Sequence, residues 1–290
     1  MKYFKLLLAA PVLIFFLILF SGTTMSSCNK TTVHDTLTIV KTDTLIKIDT
    51  VIKVDSIYGL TCGLVAYYNF NGGNLNDSSG NNNNITFSNA TPATDRFGRA
   101  GNAYSFDGST SYMQVANSTS LNMNNSITLF AIVKANGFFG GPCHGNQILG
   151  KGYPGDVNGL YEMRFNDTLN ACSIATPDVS NEFFAAEFGN NIPQGTDAGA
   201  WDNTTPVHTG IWYKLTYTYD GLTARFYVNG VLKYTHQKAV LFTSNTYDLF
   251  IGRYEDPLFP YWFNGVIDEI RIYNKPLSQG AITQLNNQTN

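Results

Sequence analysis

The amino-acid sequence predicts an all-β protein, a two-sheet antiparallel sandwich closed by one short helix. Three observations predict it. Charged residues make up only 13% of the 290, against ~25% in an average soluble domain. Asparagine outnumbers aspartate and glutamate together, so the chain is rich in turn formers and poor in the charge that long solvated helices carry. From Cys62 onward, short alternating runs recur at regular spacing, the signature of a sandwich or barrel. The third observation is the stretch from Phe263 to Tyr273, FNGVIDEIRIY. Side chains alternate across a strand, so Val266, Asp268, Ile270 and Ile272 are expected on one face and Ile267, Glu269, Arg271 and Tyr273 on the other. The first face is nearly all β-branched and should pack inward; the second, with its Glu/Arg pair, suits water. Asp268 is thereby assigned inward, where its carboxylate needs backbone N–H groups, a cation or a metal. Gly265 fits a bulge or a close backbone approach.

The amino terminus reads as a targeting segment. Lys2 and Lys5 precede an apolar run from Leu6 to Phe20, followed by small residues and Cys28. This is the order of a secretory signal, and the run falls slightly short of the ~18 residues of a membrane span. Met25-Ser-Ser-Cys28 resembles the lipobox of bacterial lipoproteins, with Met25 in place of the usual Leu. That resemblance implies an exported protein, membrane-anchored only through lipid on Cys28, at the cell surface or facing the periplasm. A spanning anchor and plain secretion are the alternatives. Residues 1–28 are thus set apart from the fold.

Residues 29–60 form a repetitive tether. Asp43-Thr-Leu-Ile-Lys-Ile48 is followed by Asp49-Thr-Val-Ile-Lys-Val54, with a looser copy from Asp35 to Val40. The β-branched content and alternation argue against a helix. Two readings stand: a solvated spacer, or a strand that self-associates with another copy through its apolar face.

Residues 61–290 form the domain. Its strands are predicted at Leu64–Phe70, Ala103–Phe106, Tyr112–Val115, Ser126–Lys134, Gln147–Lys151, Leu160–Phe165, Phe183–Glu187, Trp212–Tyr219, Ala224–Val228, Tyr247–Gly252 and Val266–Tyr273. Val228-Asn-Gly-Val231 is the strongest turn signal, a two-residue hairpin. Ser278 is placed to cap a helix from Gln279 to Asn286, after Pro276. Cys143 and Cys172 lie near loop-to-strand junctions, and a bridge between them would contribute roughly 3–4 kcal/mol on the chain-entropy account. Cys62 is left over, and the spacings match no zinc pattern.

Leu64-Val-Ala-Tyr-Tyr-Asn-Phe70, Asp95-Arg-Phe-Gly-Arg-Ala-Gly101, Tyr104-Ser-Phe-Asp-Gly108, Phe226-Tyr-Val-Asn-Gly230 and the closing Gly265-to-Asn274 strand together resemble a laminin-G-like, concanavalin A-like lectin/glucanase domain. The resemblance runs in order from about residue 63 to 286. It implies a jelly roll with adjacent first and last strands, and a fold that serves lectins, adhesins and hydrolases alike. It also implies a structural Ca²⁺ joining the amino-terminal loop to the last strand, with Asp268, Asp77 and Asn71 as ligands and Asp107 as a weaker one. Asp77 alternatively bonds its own turn.

The Glu-x-Asp-x-x-Glu motif of the glucanase relatives is absent. Glu182 and Glu187 come nearest, but five residues apart they fall on opposite faces of a strand, whereas a retaining pair sits ~5–5.5 Å apart. His144, His208 and His236 have no Gly-x-Ser-x-Gly elbow to serve and are expected on the surface. With no Lys/Arg cluster, nucleic acid is an unsuitable partner. Sugar binding needs exposed aromatics beside polar groups. Trp201, assigned to a loop, and Tyr254, Tyr261 and Trp262 beside Arg253 meet that need. The function expected is non-catalytic binding of a glycan or surface glycoconjugate. The alternatives are a hydrolase or lyase with an unrecognised motif, and a self-associating surface protein.

Overall fold

A computed structural model describes residues 60–153, 158–168, 172, 176–190 and 197–288, with two short strands ahead of them. Those strands are β1 (Leu37–Lys41) and β2 (Thr44–Ile48), which pair antiparallel with each other, Leu37 opposite Ile48. Two copies of the repeat therefore pair within one chain. Cys28, the segment expected to be a targeting signal and the rest of the expected tether lie outside the described residues.

The domain follows in order: β3 (Leu64–Tyr68), β4 (Ile85–Ser88), β5 (Thr91–Ala93), β6 (Ala103–Asp107), β7 (Met113–Val115), β8 (Ile127–Ala135), β9 (Asn146–Lys151), β10 (Gly159–Asp167), β11 (Glu182–Asn190), β12 (Ala200–Pro206), β13 (Trp212–Tyr219), β14 (Thr223–Val228), β15 (Val231–Gln237), β16 (Leu249–Ile251), β17 (Asn264–Tyr273) and helix α1 (Gln279–Asn286). One sheet runs β12-β11-β10-β9-β16-β7-β4 and the other β15-β14-β13-β8-β17-β6-β5, with β3 also on β17. This is the predicted two-sheet antiparallel sandwich. Its core is aromatic and aliphatic, with Tyr68, Phe106, Phe165, Phe184, Phe188 and Tyr217 fully enclosed between the sheets.

The last strand organises the second sheet. β17 pairs with β8 along one side, while its first half pairs with β6 and its second half with β3 along the other. First and last strands are thus adjacent, as the resemblance implies. Gly265 is a close approach: a side chain there would meet the Lys134 carbonyl oxygen at 2.3 Å. The β14–β15 hairpin turns on Asn229 and Gly230 at φ 52° and 79°, the primed-turn geometry that Asn-Gly favours. Ser278 Oγ accepts from the Ala281 N–H, and α1 lays Ile282 and Leu285 over Phe130, Ile132 and Tyr273 on the outer face of that sheet. Cys143 and Cys172 are bridged, as predicted, and Cys62 is not a free thiol either. No helix among the described residues is long and apolar enough to cross a membrane.

Three departures have three causes: a bulge, cover over the last strand, and a strand that the sequence does not announce. The β17–β8 register passes from Ile267↔Val133 to Glu269↔Ile132, leaving Asp268 as an extra, bulged residue. A bulge reverses the alternation. Ile267 therefore faces the core before it and Ile270 and Ile272 face it after, while Val266 pairs with Lys134 outside. The expectation that Val266 and Asp268 share the inward face with Ile270 and Ile272 is corrected accordingly. Glu269 and Arg271 are also buried rather than wet, because residues near both ends of the domain, Tyr67 and Gln288, cover this pair. The segment holding Trp201, expected as a loop, is strand β12.

Candidate functional site

On the seven-stranded sheet, Met113 and Val115 of β7, Leu249 and Ile251 of β16, and Tyr161, Met163 and Phe165 of β10 enter the core. Alternation then sends Gln114, Phe250, Glu162 and Arg164 to the opposite, outer face. The loop from Arg253 to Trp262, carried out of β16, folds back over that face: the Tyr254 N–H donates to the Pro260 carbonyl and the Gln147 N–H to that of Tyr261.

Over β4, β7 and β16 the outer face is an aromatic platform. The Tyr112 ring lies 4.8 Å from Phe87, 6.0 Å from Phe250 and 6.2 Å from Trp262. The Arg253 guanidinium carbon sits 4.8, 4.9 and 5.4 Å from the ring centroids of Tyr112, Phe250 and Trp262. Its Nε and Nη2 donate to the carbonyls of Tyr254 and Glu255, each at 2.9 Å. Phe87 is 43% exposed, and Tyr112, Trp262 and Arg253 are half-buried. Beside the rings, Gln114 Nε2 and the Asn117 N–H hold the Asp248 carboxylate.

The centre of the same face is polar and closed. Glu162 and Glu187 stand directly opposite on β10 and β11, and Arg164 joins them, Nε to Glu162 at 2.7 Å and Nη2 to Glu187 at 2.8 Å. Gln147 lies along this row, donating to Glu162; it fits because Gly150 has no side chain, and a Cβ there would meet its amide nitrogen at 2.4 Å. Burial pushes the Glu187 carboxyl up to about 7 against the pull of Arg164. The Tyr254 hydroxyl is pushed up by burial and then by Glu162 and Glu187. Two opposed carboxylates are the nearest approach to a glycosidase pair, but Arg164 occupies both, and the stacked rings of Tyr254 and Tyr261, 5.6 Å apart, belong to the loop above. Glu182 and Glu187 do point to opposite faces: Glu182 shares the inward side with Phe184, Ala186 and Phe188.

The structure thus brings Arg253 and Trp262 together and places Tyr261 half-buried in the same loop. Tyr254 is not exposed; at 4% it is enclosed between Tyr153 and Tyr261. Trp201 is 43% exposed, but β12 is at the far edge, five strand spacings or about 24 Å from β7. Sequence reasoning missed Tyr112, Phe250 and Phe87. The first two had a signal, since each adjoins inward residues of a predicted strand. His144 is corrected too: it is fully buried, Nδ1 2.8 Å from Asp167 Oδ2.

The four residues expected to bind calcium do not fit that ion. Ca²⁺ takes six to eight oxygens, whereas these carboxylate oxygens are already turned to N–H and hydroxyl donors. Asp268 Oδ2 accepts from the Arg96 N–H at 3.1 Å and from its Nη1 at 2.7 Å. Asp77 accepts from the N–H groups of Tyr67, Ser79 and Asn83 and from the Ser79 hydroxyl. Burial alone would raise the Asp107 carboxyl, but the Thr110 hydroxyl and the N–H groups of Ser109, Thr110 and Ser111 hold it far below the usual range. Asn71 is exposed. Among the described residues no group of three or more His, Cys, Asp or Glu is gathered for a metal. The melting temperature of the full chain is therefore expected to be indifferent to millimolar CaCl₂ and to chelator. A ligand that binds only the folded state raises it, so a rise of several degrees with calcium would show a site elsewhere.

Residues 107–283 match the family described as the concanavalin A-like lectin/glucanases superfamily. Curated proteins give no match. Among solved structures, domain 4 of AbnA, a GH43 extracellular arabinanase from Geobacillus stearothermophilus, in complex with arabinotriose, is similar at 21% identity and a TM-score of 0.53, covering 77% of this chain and 98% of that one. The binding domain of Paraclostridial Mosquitocidal Protein 1 is similar at 14% identity and a TM-score of 0.59, covering 79% of this chain and 52% of that one. The binding domain of Botulinum Neurotoxin DC in complex with SialylT is similar at 14% identity and a TM-score of 0.56, covering 78% and 51%. The chain spans about half the length of these two toxin domains.

Proposed function

Since the chain belongs to the concanavalin A-like lectin/glucanases superfamily, we propose that it is a non-catalytic glycan-binding module whose contact surface is the platform of Phe87, Tyr112 and Trp262, backed by the buried Phe250. The observation that carries this reading is the partly exposed cluster of rings held in fixed order around Arg253. Sugar rings offer apolar C–H faces that such rings cover, and neighbouring polar groups take the hydroxyls; Gln114 and Asn117 lie beside them. Solved structures of similar fold include a domain in complex with arabinotriose and the binding domains of toxins, which supports a binding role for this architecture without fixing the ligand.

Glycan-array screening of the full chain, followed by titration of the best ligand, tests the reading. Trp262→Ala is expected to weaken binding about 5- to 30-fold with little loss of melting temperature, since stacking on one ring contributes on the order of 1–2 kcal/mol. Binding that survives Trp262→Ala and Tyr112→Ala but is lost with Trp201→Ala would move the site to the opposite edge. We also propose that the protein is exported and lipid-anchored at Cys28. Mass spectrometry of membrane-extracted protein should find a lipidated amino-terminal Cys28; an uncleaved Met1 would overturn this.

A further inference from the structure

Arginine usage in this chain singles out one residue. There are six arginines, Arg96, Arg99, Arg164, Arg225, Arg253 and Arg271. Five hold a carboxylate: Arg96 that of Asp268, Arg99 that of Asp95, Arg164 those of Glu162 and Glu187, Arg225 that of Asp220 and Arg271 that of Glu269. Arg253 holds none among the described residues. Its contacts are two backbone carbonyls and three aromatic rings.

Those contacts fix its orientation. A guanidinium carries five N–H groups in one plane. The edge shared by Nε and Nη2 is turned to the carbonyls of Tyr254 and Glu255, which leaves the Nη1/Nη2 edge for something else. That free edge is the fork that a carboxylate meets with two parallel hydrogen bonds. The side chain is half-buried and stacked, so the fork is held still beside the rings, in a setting where charge is screened less than in open water. The nearby acids do not compensate it by contact. Asp248 is engaged by Gln114 and Asn117. Glu255, which offers Arg253 only its backbone carbonyl, is pushed up to about 7 by burial and is neutral for much of the population at neutral pH.

We propose that Arg253 reads an anion, and that the glycan bound on the platform is acidic: a sugar bearing a carboxylate, a uronate or a sialate, with its ring on the aromatics and its carboxylate on the Nη1/Nη2 edge. The proposal rests on the platform being the glycan site, and names the substrate class it takes.

Isothermal titration of the full chain separates the two claims. The probes are trigalacturonate with its methyl-esterified form, and sialyllactose with lactose, so each acid has a neutral partner of the same ring. At least one acid is expected to bind about ten-fold or more tighter than its neutral partner. Arg253→Gln should remove that preference, weakening the acid by more than its neutral partner, and Arg253→Lys should restore only part of it. Trp262→Ala should weaken acid and neutral ligand together. Unchanged melting temperatures, within about 2 °C, would show that the variants fold. Equal affinity for acid and neutral partner, or a preference that persists in Arg253→Gln, overturns the role of Arg253 and leaves the platform standing. Binding of none of the four probes overturns the acidic class. Binding indifferent to Trp262→Ala overturns the platform and this inference with it.

Discussion

Replacing Arg164 with alanine is expected to be among the most destabilising single changes on the outer face, at about 3–5 kcal/mol. Arg164 is bonded to Glu162 and Glu187 at once, and these two carboxyls stand directly opposite each other across β10 and β11, both buried. Without the guanidinium, two like charges share a dry site with no cation between them, and one or both must take up a proton. Burial already pushes Glu187 up to about 7 with Arg164 present, so removing the arginine raises it further. The sign of the pH dependence follows. The missing cation matters only while the carboxyls are charged, so the variant should fall furthest below wild type at pH 8 and approach it near pH 4. Glu162→Gln with Glu187→Gln in the Arg164→Ala background should recover much of the loss, because a neutral group needs no cation. Denaturant unfolding at the two pH values reads all of this. A variant equally destabilised at pH 4 and pH 8 would mean that the lost packing of the arginine stem, not its charge, dominates.

The architecture was legible because it rests on local patterns. Alternation in Trp212–Tyr219 and the Asn229-Gly230 turn are properties of a few consecutive residues, and the structure has both where the sequence puts them. Ser278 before Gln279 is a cap that needs no tertiary help, and α1 starts there. Strands β4, β5 and β12 lack such signals. Thr91-Pro-Ala93 contains a proline, and Ala200–Pro206 is mostly polar, so pairing with neighbours rather than propensity makes them strands. The bulge at Asp268 is the instructive miss. Nothing in the order Val-Ile-Asp-Glu-Ile announces an extra residue; it exists because Arg96, 172 positions earlier, delivers its N–H and guanidinium to that carboxylate. The demand for a compensating partner was readable from composition, and its identity was not. The platform was half legible for the same reason: Arg253 and Trp262 lie close in sequence, whereas Tyr112 and Phe250 meet only through the β7–β16 register.

Glu182→Gln is expected to stabilise the protein, and by an amount that grows with pH. Glu182 is fully buried, neither carboxyl oxygen has a hydrogen-bond partner, and Asp167 stands directly opposite it on β10. Asp167 itself is bonded to His144 Nδ1 and to the Asp178 N–H, and none of these reaches Glu182. Burial, then the charges of Asp167 and Asp178, push the Glu182 carboxyl up to about 9. An acid whose folded value is raised contributes stability that is fully present below its unfolded value, ~4.3 for glutamate, and lost as pH climbs to the folded one. Between those limits the unfolded chain ionises Glu182 and the folded chain does not, so wild-type stability should decline from about pH 5 to pH 9 by on the order of 3–6 kcal/mol from this residue. Glutamine keeps the shape without the charge, and its amide can donate toward Asp167. The variant should therefore match wild type near pH 4, exceed it by several degrees in melting temperature at pH 8, and show a flatter profile between. His144 bonds the same Asp167, so His144→Gln, alone and with Glu182→Gln, is the control for changes in that neighbouring pair. A wild-type profile level from pH 5 to pH 9, with Glu182→Gln no more stable at pH 8, would show that water or a rearranged partner satisfies this carboxylate in its charged form.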